Sequence, residues 1–161
     1  MRAKLLLVMQ RSASLREFRS IMSKYTIAID AMGGDDAPRI PVEAGVIAAK
    51  EYGVGVILVG DENSIYEELN QHSTDGLEII VINADDVIVE GEHPALALRR
   101  KPQASIAITV GLVKQGAAHA AISMGSTGAT MAASVFALGL FVDCRLNKLV
   151  KVFVMMDLKL I

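Results

Sequence analysis

The run Val54-Gly55-Val56-Ile57-Leu58-Val59 constrains the fold most. Its residues are all apolar, it is closed by Gly53 and Gly60, and it offers no polar face to water. Val and Ile favour extended backbone. A strand that is apolar on both sides must be covered on both sides, as in a parallel sheet flanked by helices. The neighbouring segments fit that picture. Residues 26–30 read as a first strand, and residues 77–82 as a third. Between them, Pro38 or Pro41 suits the first turn of a helix that runs to about Glu51, with Val42, Val46 and Ala49 on one face. Asp61 is placed to cap a helix over residues 64–71, where Ile65 and Leu69 are four apart.

Downstream, residues 85–94 read as an acidic loop and residues 94–100 as a short helix. Residues 105–114 read as a helix closed by Gly116, although Ile106, Ile108, Thr109 and Val110 also permit a strand. Residues 120–123 form a fourth strand, and residues 127–138 a helix rich in Ala and Met. The β-α-β-α-β order predicts an α/β fold with a mostly parallel sheet and helices on both faces.

Composition narrows the function classes. The chain has 161 residues, enough for one domain with a core, and a formal charge of −2 that gives no argument for nucleic-acid binding. A single cysteine, Cys144, excludes an internal disulfide or a cysteine-based metal cluster. His72, His93 and His119 are scattered without ligand spacing, so no metal is expected. No apolar run reaches the ~18 residues of a membrane span. Near the N-terminus, residues 5–9 are too short an apolar stretch for a signal peptide. Residues 1–21 therefore read as a dispensable upstream extension, with Met22 a natural start.

Two Gly-rich turns join strands to helices. The first is Asp30-Ala31-Met32-Gly33-Gly34-Asp35-Asp36-Ala37-Pro38, and the second is Ser123-Met124-Gly125-Ser126-Thr127-Gly128-Ala129. Open α/β sheets bind ligands at the carboxyl ends of their strands, where both turns belong. In the second turn, free N–H groups and the positive end of a helix dipole suit an anion. Ser126 and Thr127 add hydroxyl donors. The competing reading is a tight turn with Ser126 or Thr127 as an N-cap. The first turn lacks the G-x-G-x-x-G spacing of dinucleotide sites. Asp35 and Asp36 would repel a bare phosphate, so Gly33 and Gly34 read as points of close backbone approach. Asp30 reads as a group that orients a neighbouring cation or donor. Ordinary turn and capping chemistry competes there too. Arg99-Arg100-Lys101 is a compact basic run, suited to phosphate or to an acidic partner surface. Its plain alternative is a set of cations at a helix C-terminus, worth about 0.3–1 kcal/mol.

Residues 29–35 and the pattern Ser123-x-Gly125-x-Thr127-Gly128-Ala129 resemble the two signatures of the bacterial phosphate acyltransferases of phospholipid synthesis (PlsX type). Ala97-Leu98-Arg99-Arg100-Lys101 is similar to that family's Ala-Leu-Arg-x-Lys segment, and Val113-Lys114-Gln115-Gly116-Ala117 to its Val-Lys-x-Gly-x. The resemblance covers about residues 24–140. It implies the N-terminal half of a three-layer Rossmann-like sandwich of the isocitrate/isopropylmalate dehydrogenase type, truncated. It also implies acyl transfer from acyl carrier protein to inorganic phosphate, giving an acyl phosphate, with no cofactor. Catalytic roles fall to Asp30, Arg99 and Lys101, with Arg100 nearby. Phosphate contacts fall to Ser123, Gly125, Ser126, Thr127 and Gly128. The implied setting is cytoplasmic and peripheral to the membrane, as a homodimer that serves a membrane glycerol-3-phosphate acyltransferase.

The chain departs from the family pattern in places. Met124-Gly125-Ser126 stands where the family commonly has Ala-Gly-Asn. Pro102-Gln103-Ala104-Ser105 stands where it has Lys-Asp-Ser-Ser, so that only Ser105 is retained. Residues 141–161 read as a divergent tail with a β-prone Val152-Phe153-Val154-Met155 core. Because the family chain is about twice as long, catalysis by this chain alone is expected to be nearly absent. Two readings compete: an inactive fragment acting at most as a phosphate-binding or dimerisation module, and a general anion-binding α/β protein.

Overall fold

A computed structural model describes residues 25–139. The readings made for residues 1–21, for Met22 and for the tail at 141–161 lie outside the described residues. The elements in chain order are β1 (Thr26–Asp30), α1 (Arg39–Tyr52), β2 (Gly55–Gly60), α2 (Glu62–Leu69), β3 (Ile79–Asn83), α3 (Pro94–Arg100), α4 (Ser105–Gln115), β4 (Ala120–Ser123) and α5 (Thr127–Leu138). The four strands form one parallel sheet in the order β3-β2-β1-β4.

Alternation along the strands divides the core into two layers. Ile29, Val56 and Leu58 face α1 and α2, where they meet Val42, Ala49 and Ile65. Ala28, Ile57 and Val59 face the other way and meet Leu112 of α4. Every residue of β2 is buried, as its unbroken apolar run requires. Burying each such Val, Leu or Ile side chain is worth about 1.5–3 kcal/mol. A third cluster joins α3, α4 and α5 through Ala97, Ile106, Val110, Ala129 and Ala133.

The ambiguous stretch after Ala104 is helix, and packing explains why. Ile106 and Val110 enter one cluster while Ile108 and Leu112 enter another. Partners four residues apart on two sides suit a helix lodged between a sheet and other helices, whereas a strand would put all four residues on one face. Gly116 ends this helix at φ 74°, in the left-handed region expected of a C-cap glycine. The helix after Asp61 starts at Glu62, two residues before the expected position. The Asp61 side chain accepts from Ser64 N and so caps the chain at once. Strand register shifts the other boundaries. Thr26 pairs with Gly55 and Val56 with Ile79, so β2 and β3 begin one and two residues later than hydrophobicity alone indicated.

Candidate functional site

Strand order creates the site. The path from β1 leads to β2 on one side, while β4 lies on the other. The helices that follow these two strands also part: α1 packs on one face of the sheet, and α5 packs with α3 and α4 beyond the other. A crevice therefore opens past the carboxyl ends of β1 and β4, the position at which open parallel sheets bind ligands. It holds about 670 Å³ and is lined by Asp30, Ser105, Ile106 and residues 32–35, 87–90 and 123–130.

At its floor sits Asp30, the last residue of β1, 4% exposed. Asp30 and Ser123 are register partners. Ser123 Oγ donates to Asp30 Oδ2 at 2.7 Å, and Met32 N donates to Oδ1 at 3.2 Å. The buried Ser105 side chain neighbours the same carboxyl. Burial pushes the Asp30 carboxyl above the ordinary aspartate range, against the pull of Ser105, Ser123 and Met32 N.

The two Gly-rich turns lie against each other, which corrects the role expected of their glycines. A Cβ on Gly33 would stand 2.8 Å from Gly125 N, 2.8 Å from Ser123 Oγ and 3.0 Å from Asp30 Oδ2. The missing side chain at Gly33 makes room for the other turn. Gly34 has φ +104°, a backbone that glycine adopts readily, and it rests on Met124. Gly128 is needed for contact as well, since a Cβ there would lie 2.9 Å from Pro94 Cγ at the head of α3.

The head of α5 faces the crevice. Ser126 is its N-cap, and its Oγ accepts from Ala129 N at 3.4 Å. The capping reading is thus realised by Ser126, which keeps its own hydroxyl proton. Thr127 and Gly128 are the first helical residues, so their N–H groups have no intrahelical acceptor. No acceptor within the protein takes the N–H of Ser126, Thr127 or Gly128 among the described residues. Val87, Ile88, Val89 and Ile106 contribute apolar side chains to the same crevice.

The basic run goes elsewhere. Arg99 and Arg100 occupy the last turn of α3 and are exposed. Lys101 Nζ is held by the Glu92 carboxylate and by Val87 O at 2.9 Å. None of the three lines the crevice, whose charged residues are Asp30, Asp35 and Glu90. Asp36 forms an exposed pair with Arg39 at 3.4 Å. Sequence reasoning missed the apolar residues 87–89, hidden in a segment read only as loop. It also gave no role to Ser105, whose position at the start of a helix beside Asp30 depends on the tertiary fold.

A family model described as "Fatty acid synthesis protein" matches residues 25–151, well over half of the chain. The chain belongs to this family. Among its curated relatives, the phosphate acyltransferase of Trichlorobacter lovleyi is 46% identical over 112 residues, 70% of this chain and 32% of that protein. Those of Herpetosiphon aurantiacus and Pelotomaculum thermopropionicum are 49% and 50% identical over 113 residues, again 70% of this chain and 31% and 33% of theirs. The chain spans about a third of the length of these relatives. The fatty acid synthesis protein match also passes the end of the motif resemblance at Leu140 and continues to residue 151. Two of the stretches that carry the resemblance, residues 29–35 and 123–129, meet at the floor of the crevice, while residues 97–101 stand apart from it. No helix among the described residues of this family member is long and apolar enough to cross a membrane.

Proposed function

We propose that this chain carries the phosphate-binding part of a phosphate acyltransferase, which moves an acyl group from acyl carrier protein to inorganic phosphate for phospholipid synthesis. The observation that supports this reading is the head of α5, where three N–H groups without an acceptor among the described residues line one crevice with the apolar residues 87–89. Amides and a helix dipole suit the phosphate, and the apolar residues suit the acyl chain. The relatives named phosphate acyltransferase favour that pairing over a general anion site.

The reaction asks for no protein nucleophile. A phosphate oxygen attacks the thioester carbonyl carbon, the carbon–sulfur bond breaks, and the departing thiolate takes up the proton released by phosphate. The protein contributes placement, worth up to about 7–11 kcal/mol in ideal cases, and donors for developing negative charge. The phosphate is held by dipoles and by the Ser126 and Thr127 hydroxyls. Asp35 and Glu90 are exposed, so water and salt screen their repulsion. Arg99 and Arg100, exposed outside the crevice, are placed to meet the acidic surface of acyl carrier protein. In this reading the whole protein has the isocitrate/isopropylmalate dehydrogenase type of sheet, works as a cytoplasmic homodimer at the membrane surface, and hands its product to a glycerol-3-phosphate acyltransferase.

The test is equilibrium dialysis of the chain against radiolabelled inorganic phosphate, with acyl phosphate followed after acyl carrier protein thioester is added. Saturable binding is expected, weakened in Thr127→Val, which removes a donor and keeps the shape. Absence of saturable binding would contradict the reading.

A further inference from the structure

We propose that Asp30 and Ser123 are positioning residues for the phosphate cradle: Asp30 takes the Ser123 hydroxyl proton, and Ser123 Oγ takes the Gly125 N–H, fixing the turn whose next three amides receive the anion. This rests on the reading of the crevice as a phosphate site and sharpens it, because it removes Ser123 and Gly125 from the set of phosphate contacts.

A serine hydroxyl has one proton to give. That of Ser123 goes to Asp30 Oδ2 at 2.7 Å. Ser123 Oγ also accepts from Gly125 N at 3.2 Å, so that amide is used too. A phosphate oxygen needs donors, and neither residue has one left. What the pair provides is direction. Ser123 ends β4 and Asp30 ends β1, so their bond ties the second turn to a rigid strand end. Gly33 lies over the pair so closely that a methyl group there would stand 2.8 Å from Ser123 Oγ, 3.0 Å from Asp30 Oδ2 and 2.8 Å from Gly125 N. The turn therefore leaves β4 along a fixed path, and the amides of Ser126, Thr127 and Gly128 follow from it.

Asp30 itself is steadied by a further donor, the Met32 N–H, which bonds its other oxygen. With one donor on each oxygen, a carboxylate serves where an amide would not. Asn at position 30 would offer one oxygen and turn an NH₂ group toward one of the donors.

The experiment follows inorganic phosphate binding and the Gly125 amide resonance by nuclear magnetic resonance in the full chain and in Ser123→Ala, Ser123→Thr, Asp30→Asn and the Ser123→Ala/Asp30→Asn double variant. Ser123→Ala should weaken phosphate binding about tenfold, the scale of one hydrogen bond, and move the Gly125 resonance before any phosphate is added. Ser123→Thr, which restores the hydroxyl, should return both toward the wild-type values. Asp30→Asn should cause a similar loss, and the double variant should lose no more than either single one. Additive losses would make Ser123 a direct ligand and overturn the proposal, as would an unmoved Gly125 amide in Ser123→Ala. If the wild-type chain binds no phosphate, the functional reading fails, and the phosphate-free Gly125 amide alone decides the proposal. If Asp30→Asn does not fold, the Ser123→Ala and Ser123→Thr pair decides it.

Discussion

Two aspartates stand at the ends of neighbouring parallel strands and have opposite fates. Asp30 closes β1, and Asp61 follows β2 directly. Each carboxylate accepts a serine hydroxyl and a backbone N–H. The serine of Asp61 is Ser64, three residues on, and both belong to the start of one helix. The hydrogen bonds from Ser64 hold the Asp61 carboxyl below the ordinary range. The serine of Asp30 is Ser123, 93 residues away on another strand, and burial carries the Asp30 carboxyl the other way. The same bonding chemistry therefore yields a local helix cap at one junction and a joint between two distant turns at the other. The crevice forms only at the second. Sequence-local hydrogen bonds start a helix, while long-range ones between strand ends build a floor on which a site can rest.

The sharpest way to break this contrast is Gly33→Ala. The added methyl meets Gly125 N and Ser123 Oγ at 2.8 Å, contacts that one turn cannot yield without the other. Urea denaturation should show a loss of about 1–3 kcal/mol, the usual cost of forcing atoms into a filled space. An unchanged midpoint would mean that the turns do not pack as described.

Next comes the pH dependence of the two carboxyls. Asp30 has a folded pKa raised above 3.8, so its contribution to stability is fully present below that value and is lost as pH rises through the folded pKa. Asp61 has a folded pKa lowered below 3.8, so its contribution is present above that value and is lost as pH falls through the folded pKa. Carboxyl-carbon titration should place the two midpoints on opposite sides of 3.8. Coincident midpoints would erase the distinction between the junctions.

The smallest effect is expected from Arg99→Gln. This residue is exposed on α3, away from the crevice lining, and its loss should leave inorganic phosphate affinity unchanged. A marked weakening would return the basic run to the site.

Much of the scaffold was legible because its signals are local. The apolar run at residues 54–59, the Asp61 cap and the Gly116 stop each act within a few residues, and each appears close to where it was read. The pairing of β1 with β4 was not legible, since it joins residues more than 90 positions apart through backbone bonds that any apolar strand could make. For that reason the close backbone approach read at Gly33 had no partner assigned to it, and the partner is Gly125. Arg99, Arg100 and Lys101 looked like anion ligands by charge alone. Their helix directs them away, and Lys101 is committed to Glu92. Strand-turn-helix spacing marks the head of α5 as a candidate anion site, but the apolar residues 87–89 that line the same crevice come from a loop with no periodicity to reveal them.

The central claim is that the two strand ends differ in kind, and that only the head of α5 receives an anion. Amide shift mapping with inorganic phosphate tests it most directly, because the heads of α2 and α5 are compared in one experiment. The account predicts that the largest shifts fall on Ser126, Thr127 and Gly128, with Glu62 to Ser64 and Arg99 to Lys101 unmoved. Equal shifts at the two helix heads, or the largest shifts at Arg99 to Lys101, would contradict it.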